Sequence, residues 1–526
     1  MKRGLALPGM LFLSVIFITS AFAAMRQATP PAGGISGIAT GGGVSAFLGI
    51  PYAAPPVGDL RWRPPQAAAP WSDVLEATHF SPSCIQRDQT GGFGPWTTEY
   101  VIPGPVSEDC LYLNVWTPAE TSEDRLPVFF WIHGGGFDSG SGSVPLYEGT
   151  RLAAQGIVVV NVNYRVNVFG FLAHPELMEE SPHHSAGNYG LLDIVAALRW
   201  VRDNISAFGG NPKQVTIAGQ SAGAAAVQYL MSSPLAKGLF SQAIIESGPG
   251  SALPSRASLE GAEQAGVDYV KARGASSIEA LRRLPVEAFG IRPADAAASS
   301  VRFGPVVDGW FLPKTSAEQA GQPDIPVLAG VVAEEASFLP DYGNVDVARF
   351  KELARQRFGS LADEFLSLYP VDRDEDALSV LKRSTRDRYR VALYEWARER
   401  NQAVRSKTFI YLWNHVEPGP NAQLYGSFHS SELPYVFDNL DVSDRPFTEA
   451  DRRIAAMMSA YWVHFVKTGD PNSGGRPPWP ATDPDQTTIM ELGDSFGAGP
   501  VADAARLEFF HRYLSSPEAR NRGWMF

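Results

Sequence analysis

The pentapeptide Gly219-Gln220-Ser221-Ala222-Gly223 follows the β-branched run Val215-Thr216-Ile217 and opens the alanine-rich stretch 222–231. A strand that turns at once into a helix leaves its serine in a sharp, strained turn. The hydroxyl then projects outward beside the N–H groups that begin the helix. Glycines at 219 and 223 remove the Cβ atoms that would collide across such a turn. The bare pattern is weak, because an ordinary strand–helix turn with a serine cap also carries it. Its setting and a second motif give it weight.

That second motif is His133-Gly134-Gly135-Gly136-Phe137, directly after the apolar run 128–132. Attack of a hydroxyl on a carbonyl carbon creates a tetrahedral oxyanion, and fixed N–H donors must already face it. Losing one such donor typically costs roughly 3–4 kcal/mol of barrier. Glycines let the backbone approach with no side chain in the way. The expected donors are the backbone N–H groups of Gly135, Gly136 and Ala222, with Gly134 as a replacement if the loop is rotated by one residue. His133 reads as a brace for this loop.

A hydroxyl near neutral pH needs a base to take its proton, and the base needs an acid to orient it. Of nine histidines, His415, His429, His464 and His511 come after Ser221. His429 lies in Gly426-Ser427-Phe428-His429-Ser430-Ser431-Glu432, a loop rich in small residues that follows the strand signal at 408–413. His415 is closer to that strand, His464 sits in an apolar helical stretch, and His511 has no comparable loop. Asp308, Glu334, Glu335 and Asp341 are the acids considered between the serine and His429. The run 326–332 reads as a strand, and an acid just past its end is well placed. Asp308, in Pro305-Val306-Val307-Asp308-Gly309, reads as part of a turn.

The elements that must position these groups alternate. Apolar runs at 128–132, 157–162, 215–218, 242–245, 326–332 and 408–413 read as strands. Between the second and third lies 191–208, with Leu191, Ile194, Val195, Leu198, Val201 and Ile205 at helical spacing before Gly209-Gly210. Strands alternating with helices imply an α/β fold, a mostly parallel sheet covered on both faces. Residues 35–52, interrupted by Gly41-Gly42-Gly43, read as an N-terminal β-hairpin. Residues 258–297 and 345–400 are helix-rich and charged, and read as insertions near the site within one domain spanning 24–526.

Acidic residues outnumber basic ones, 56 to 44, and no basic stripe is visible, which argues against a nucleic-acid partner. No His-Glu-x-x-His or clustered ligand spacing suggests a metal. Lys2 and Arg3 precede the apolar run 10–22, which ends in Ala21-Phe22-Ala23. This describes a secretory signal peptide, 1–23, cut after Ala23. The run is too short for a membrane span, which needs ~20 residues. The expectation is an exported protein with no stable span after cleavage. Cys84 and Cys110 are the only cysteines. In an exported chain they are expected to pair, stabilising the fold by roughly 3.5 kcal/mol in the chain-entropy picture.

The stretch Ser107-Glu108-Asp109-Cys110-Leu111-Tyr112-Leu113-Asn114-Val115 resembles a signature of the type-B carboxylesterases, the family that includes cholinesterases. Asn188-Tyr189-Gly190-Leu191-Leu192-Asp193, Phe208-Gly209-Gly210-Asn211-Pro212 and 219–223 are similar to that family too, and the likeness runs over nearly all the chain after the leader. It implies an α/β-hydrolase fold, no cofactor, a Cys84–Cys110 disulfide, and a small-molecule ester as substrate. It also implies the chain order serine, acid, histidine. On this likeness Glu335, in Gly330-Val331-Val332-Ala333-Glu334-Glu335-Ala336, takes the acid's position beside Glu334, and His429 takes the base's. The expected chemistry is hydrolysis through an acyl-enzyme on Ser221.

Many relatives carry glutamate where this chain has Gln220. Loss of that charge is expected to move the pH–rate profile toward lower pH. A binding protein on the same fold would have lost part of the triad, and every member is present. Amides, thioesters and lipids remain alternative substrates for the same machinery. A choline ester is disfavoured. The loop between the cysteines offers Trp96 and Tyr100, but Tyr100 stands where cholinesterases place a tryptophan.

Overall fold

The run 128–132 has no polar alternation, so it has to be buried on both faces, and that demand organises the molecule. The computed structural model describes residues 24–89, 91–248, 258–289, 302–313, 323–483 and 485–520. The leader expected at 1–23 and residues 290–297 of the first insertion lie outside them.

One eleven-stranded sheet forms the frame. Its strands are β1 (Ile38–Ala39), β2 (Ser45–Pro51), β3 (Tyr112–Thr117), β4 (Leu126–Ile132), β5 (Val158–Val162), β6 (Gly210–Gln220), β7 (Gln242–Glu246), β8 (Val327–Val332), β9 (Thr408–Trp413), β10 (Thr488–Leu492) and β11 (Gly497–Pro500). Across the sheet they run β11-β10-β9-β8-β7-β6-β4-β5-β3-β2-β1. The stretch from β5 to β10 is parallel throughout. The remaining neighbours at both edges pair antiparallel.

Helices cover both faces. On β4, Val128, Phe130 and Ile132 enter one core, and Phe129 and Trp131 enter the other. Helices α1 (Tyr189–Asn204) and α2 (Ala222–Ser232) pack into the first core, and α7 (Glu449–Thr468) into the second. Between them in sequence come α3 (Leu259–Ala272), α4 (Val347–Phe358), α5 (Ala362–Leu368) and α6 (Asp374–Ala403), followed after α7 by α8 (Ala504–Ser515). No helix among the described residues is long and apolar enough to cross a membrane.

Two of the sequence signatures have architectural roles. Asp193 on α1 takes a bidentate pair from Arg165 at 2.7 and 2.8 Å, and both side chains are buried. Glu108 does the same for Arg61 at 2.5 and 2.6 Å. Cys84 and Cys110 form a disulfide. The loop it closes packs against the segment carrying His429, as described below.

Candidate active site

The glycine-rich loop, the serine, the acids and the histidine each follow a parallel strand. They extend from the carboxyl ends of β4, β6, β8 and β9, where open α/β sheets gather their sites. Strand order then sets the neighbours. Because β8 and β9 are adjacent, the acid loop and the histidine loop are stitched together directly. The Glu334 N–H donates to the Ser427 carbonyl at 3.1 Å, and the Ser427 N–H donates to Oε2 of Glu334 at 2.8 Å.

Ser221 sits at φ 58°, ψ −122°, a backbone region that costs a non-glycine residue on the order of 1–3 kcal/mol. Its surroundings enforce this. The Ser221 N–H donates to the Glu246 carbonyl at the end of β7, and the Ser221 carbonyl accepts from Ala225 in the first turn of α2. A Cβ on Gly223 would lie 2.1 Å from the Ile132 carbonyl oxygen, and one on Gly219 would lie 2.6 Å from Gly223. Only glycine fits at either place. Ser221 itself is half-buried, between buried Gln220 and Ala222.

The glycine-rich loop presses against this turn. A Cβ on Gly134 would meet the Gln220 carbonyl oxygen at 2.8 Å and Ser221 Cβ at 3.1 Å. Gly135 and Gly136 adopt φ of 104° and 66°. Among the described residues, neither of their N–H groups donates to a protein acceptor. Ala222 begins α2, where helix geometry leaves N–H groups unpaired. His133 is buried, with Nδ1 2.8 Å from the Gly134 carbonyl and its ring stacked on Tyr164 at 4.3 Å. Burial pulls its pKa down to about 4, so it is a neutral, packed ring.

The His429 ring links the acid loop to the serine turn. Nδ1 lies 2.5 Å from Oε2 of Glu335, whose Oε1 accepts from the Val332 N–H at 2.9 Å. Nε2, on the far side, lies 3.2 Å from the amide nitrogen of Gln220. Among the described residues the hydrogen-bond partner of Nε2 is therefore the side chain next to the serine, not the serine hydroxyl. Glu334 points away from the ring, to Arg386 and to the Ser427 N–H.

The other candidates have separate duties. His415 bridges Asp451 and Asp494. His464 contacts the Asp470 carbonyl, and His511 pairs with Glu395. Asp308 accepts from Ser185 and from the N–H groups of Trp310, Phe311 and Leu312, as a turn-forming aspartate does. No group of three or more His, Cys, Asp or Glu side chains among the described residues is arranged for a metal.

Three sets of contacts around the site were not legible in the residue pattern. Trp96, on the disulfide loop, donates Nε1 to the His429 carbonyl at 3.1 Å and packs on Phe338, which in turn lies 6.1 Å from the His429 ring. Tyr100 is not free to cage a cation, because the Arg445 guanidinium already lies 5.7 Å from its ring centroid, while its hydroxyl donates to buried Glu417 at 2.7 Å. Behind the serine turn, Glu246 and Glu432 are both fully buried. Glu246 accepts from Trp462 at 2.7 Å, and Glu432 faces the Ser247 hydroxyl at 3.4 Å. Each has one oxygen with no hydrogen-bond partner. Burial drives both carboxyls upward, and for Glu432 the neighbouring Glu246 adds to the effect.

Known proteins share this plan. A fumonisin B1 esterase of Sphingopyxis macrogoltabida is 38% identical over 477 residues, covering 87% of this chain and 85% of that protein. A para-nitrobenzyl esterase of Bacillus subtilis (strain 168) is 35% identical, covering 84% and 90%. A phenmedipham hydrolase of Pseudarthrobacter oxydans is 33% identical, covering 88% and 94%. A solved PNB esterase structure superposes with a TM-score of 0.76 at 30% identity, covering 92% of this chain and 99% of that one. Residues 26–510 match the carboxylesterase family. With that match over nearly the whole chain and an α/β-hydrolase frame beneath it, the protein belongs to the carboxylesterase family and is a carboxylic ester hydrolase.

Proposed function

We propose that the protein is an exported serine carboxylesterase in which Ser221 is the nucleophile, His429 the general base and acid, and Glu335 the group that orients the imidazole. The observation that carries this reading is the His429 ring, held by Glu335 at one nitrogen and facing the serine turn with the other. In the first half-reaction Ser221 Oγ attacks the ester carbonyl, its proton passes to Nε2 of His429, and that proton goes on to the departing alkoxide. In the second half-reaction water gives a proton to the same nitrogen as it attacks the acyl-enzyme, and that proton passes to Ser221 Oγ as its bond to the acyl group breaks and the acid leaves. The N–H groups of Gly135, Gly136 and Ala222 receive the oxyanion at both stages.

Trp96, Phe338 and the His429 ring form an aromatic wall, which supports an ester with an apolar or aryl group over a strongly charged one. The relatives' names, para-nitrobenzyl esterase among them, agree with small-molecule esters. Export rests on the leader-like residues 1–23, with cleavage after Ala23, and fits the Cys84–Cys110 disulfide.

The test is a panel of esters differing in acyl length and alcohol, run with wild type and Ser221→Ala. Wild type is expected to prefer uncharged apolar esters, and the variant to lose turnover on all of them by on the order of 10⁴-fold or more. Turnover retained by the variant would refute the mechanism.

A further inference from the structure

The loop from Gly134 to Gly140 starts with three residues that carry no side chain, and four of its seven residues are glycines. Its internal hydrogen bonds run from the Asp138 and Ser139 N–H groups to the Gly135 carbonyl, at 3.0 and 3.1 Å. They close a turn, but they do not fix where that turn points. Contacts from outside the loop have to do so, and a group of them comes from the segment beside the disulfide.

Gln86 lies two residues past Cys84 and is only 5% exposed. Its Oε1 accepts from the Gly140 N–H at 2.8 Å, and its Nε2 donates to the carbonyl of the same residue at 2.8 Å. Nε2 also donates to the Cys84 carbonyl at 3.0 Å. A reversed amide would set its oxygen against two carbonyls and its N–H against another N–H, so this orientation is determined. Cys84 is tied to Cys110 by the disulfide, which braces the amide at its base. Asn167 joins the same two segments, donating Nδ2 to the Ile85 carbonyl at 2.7 Å and to the Asp138 carbonyl at 3.3 Å. Gly140 in turn closes the loop on its own start. A Cβ there would lie 2.2 Å from Nδ1 of His133 and 2.6 Å from the Gly134 carbonyl oxygen. The backbone that Gln86 grips is therefore packed against the residue that precedes Gly135.

We propose that Gln86 is a positioning residue for the oxyanion hole: its two-point grip on Gly140 sets the direction of the Gly135 and Gly136 N–H groups. This rests on the reading given above, in which those groups receive the oxyanion. A buried amide that only satisfied itself could bond any backbone groups nearby. Bonding both polar groups of one residue fixes that residue in position and in rotation. The hole demands this, because its donors act about 2.7–3.1 Å from the developing oxyanion and a misplacement of about 1 Å costs about 10²-fold in rate. Gln86 touches neither the substrate nor Ser221 and acts through the loop alone.

The experiment compares wild type with Gln86→Met, which keeps the length of the side chain and removes its hydrogen bonds. Two readouts are taken on folded enzyme, with melting curves alongside. The first is kcat and KM on a para-nitrophenyl ester. The second is 19F NMR of the adduct with an alkyl trifluoromethyl ketone. There the Ser221 oxygen bonds to the ketone carbon, the serine proton passes to His429, and the carbonyl electron pair becomes a hemiketal oxyanion. The pH at which that oxyanion protonates reports the strength of the hole. In Gln86→Met, kcat should fall about tenfold with KM held within about twofold. The oxyanion should then titrate about one pH unit higher, the shift that matches a tenfold loss. Gln86→Glu keeps an acceptor for the Gly140 N–H, should move both readouts the same way, and stands in if Gln86→Met does not fold. A lower melting temperature with kcat and the oxyanion titration unchanged would make Gln86 structural only and overturn the proposal. A change confined to KM would overturn it as well. Failure of wild type to form the adduct would instead refute the underlying role of Ser221, and the positioning role with it.

Discussion

The amide nitrogen of Gln220 lies 3.2 Å from Nε2 of His429, opposite the ring nitrogen that faces Glu335 at 2.5 Å. With Nδ1–H donated to the carboxylate, Nε2 is an acceptor and the amide N–H donates to it. Once Nε2 carries a proton, two donors face each other, and the amide has to turn its oxygen inward or give way.

A carboxylate at position 220 would instead accept from the protonated ring. Gln220→Glu is therefore expected to move the acidic limb of kcat/KM to higher pH by about one unit. The pH–rate profile on one uncharged ester checks this. A limb that stays in place would show that the charge at 220 does not reach the imidazole.

Glu246 and Glu432 give the stability a pH dependence. Burial raises both carboxyls above their ordinary range, so the folded chain holds protons that the unfolded chain has already lost. Stability contributed by these groups is full below the ordinary carboxyl range and falls as pH rises toward the folded values. Glu246→Gln keeps an oxygen for Trp462 and removes one of the two acids. Its apparent melting temperature should fall less than that of wild type between about pH 5 and about pH 9. Parallel curves would contradict the raised pair.

Trp96 ties the disulfide loop to the histidine segment. Trp96→Phe keeps the ring contacts but leaves the His429 carbonyl without its donor. A lost hydrogen bond of about 1 kcal/mol corresponds to about a fivefold fall in rate. The fall should appear in kcat, because the bond positions the His429 segment that the proposed mechanism uses. A change confined to KM would assign Trp96 to substrate contact alone.

Asp193→Ala strands the buried Arg165 guanidinium. Breaking a buried pair on one side costs about 3–5 kcal/mol. The apparent melting temperature should drop by several degrees, with kcat on an ester unchanged in the folded fraction. An unshifted melt would mean that the pair contributes no net stability.

The frame was legible because buried parallel strands leave continuous apolar runs. The run 408–413 matches β9 (Thr408–Trp413) residue for residue, and 128–132 falls within β4 (Leu126–Ile132). β6 extends back to Gly210, through polar residues and an irregular register that no apolar period marks. The edge strand β11 (Gly497–Pro500) is short and glycine-rich, and gave no signal. Within the site, residue types and order pointed to Ser221 and His429, and left several acids open until the family likeness favoured Glu335 over Glu334. The contact of Gln220 with His429, and the paired Glu246 and Glu432, depend on side-chain directions across strands far apart in sequence. Single-sequence patterns do not encode those directions.

The role of Ser221 is tested most directly by trapping the intermediate. Wild type is mixed with a para-nitrophenyl ester, quenched in acid during turnover, digested and weighed by mass spectrometry. The peptide carrying Ser221 should gain the mass of one acyl group, and the same peptide of Ser221→Ala should gain none. An acyl group on another residue, or wild-type turnover by Ser221→Ala, would contradict the account.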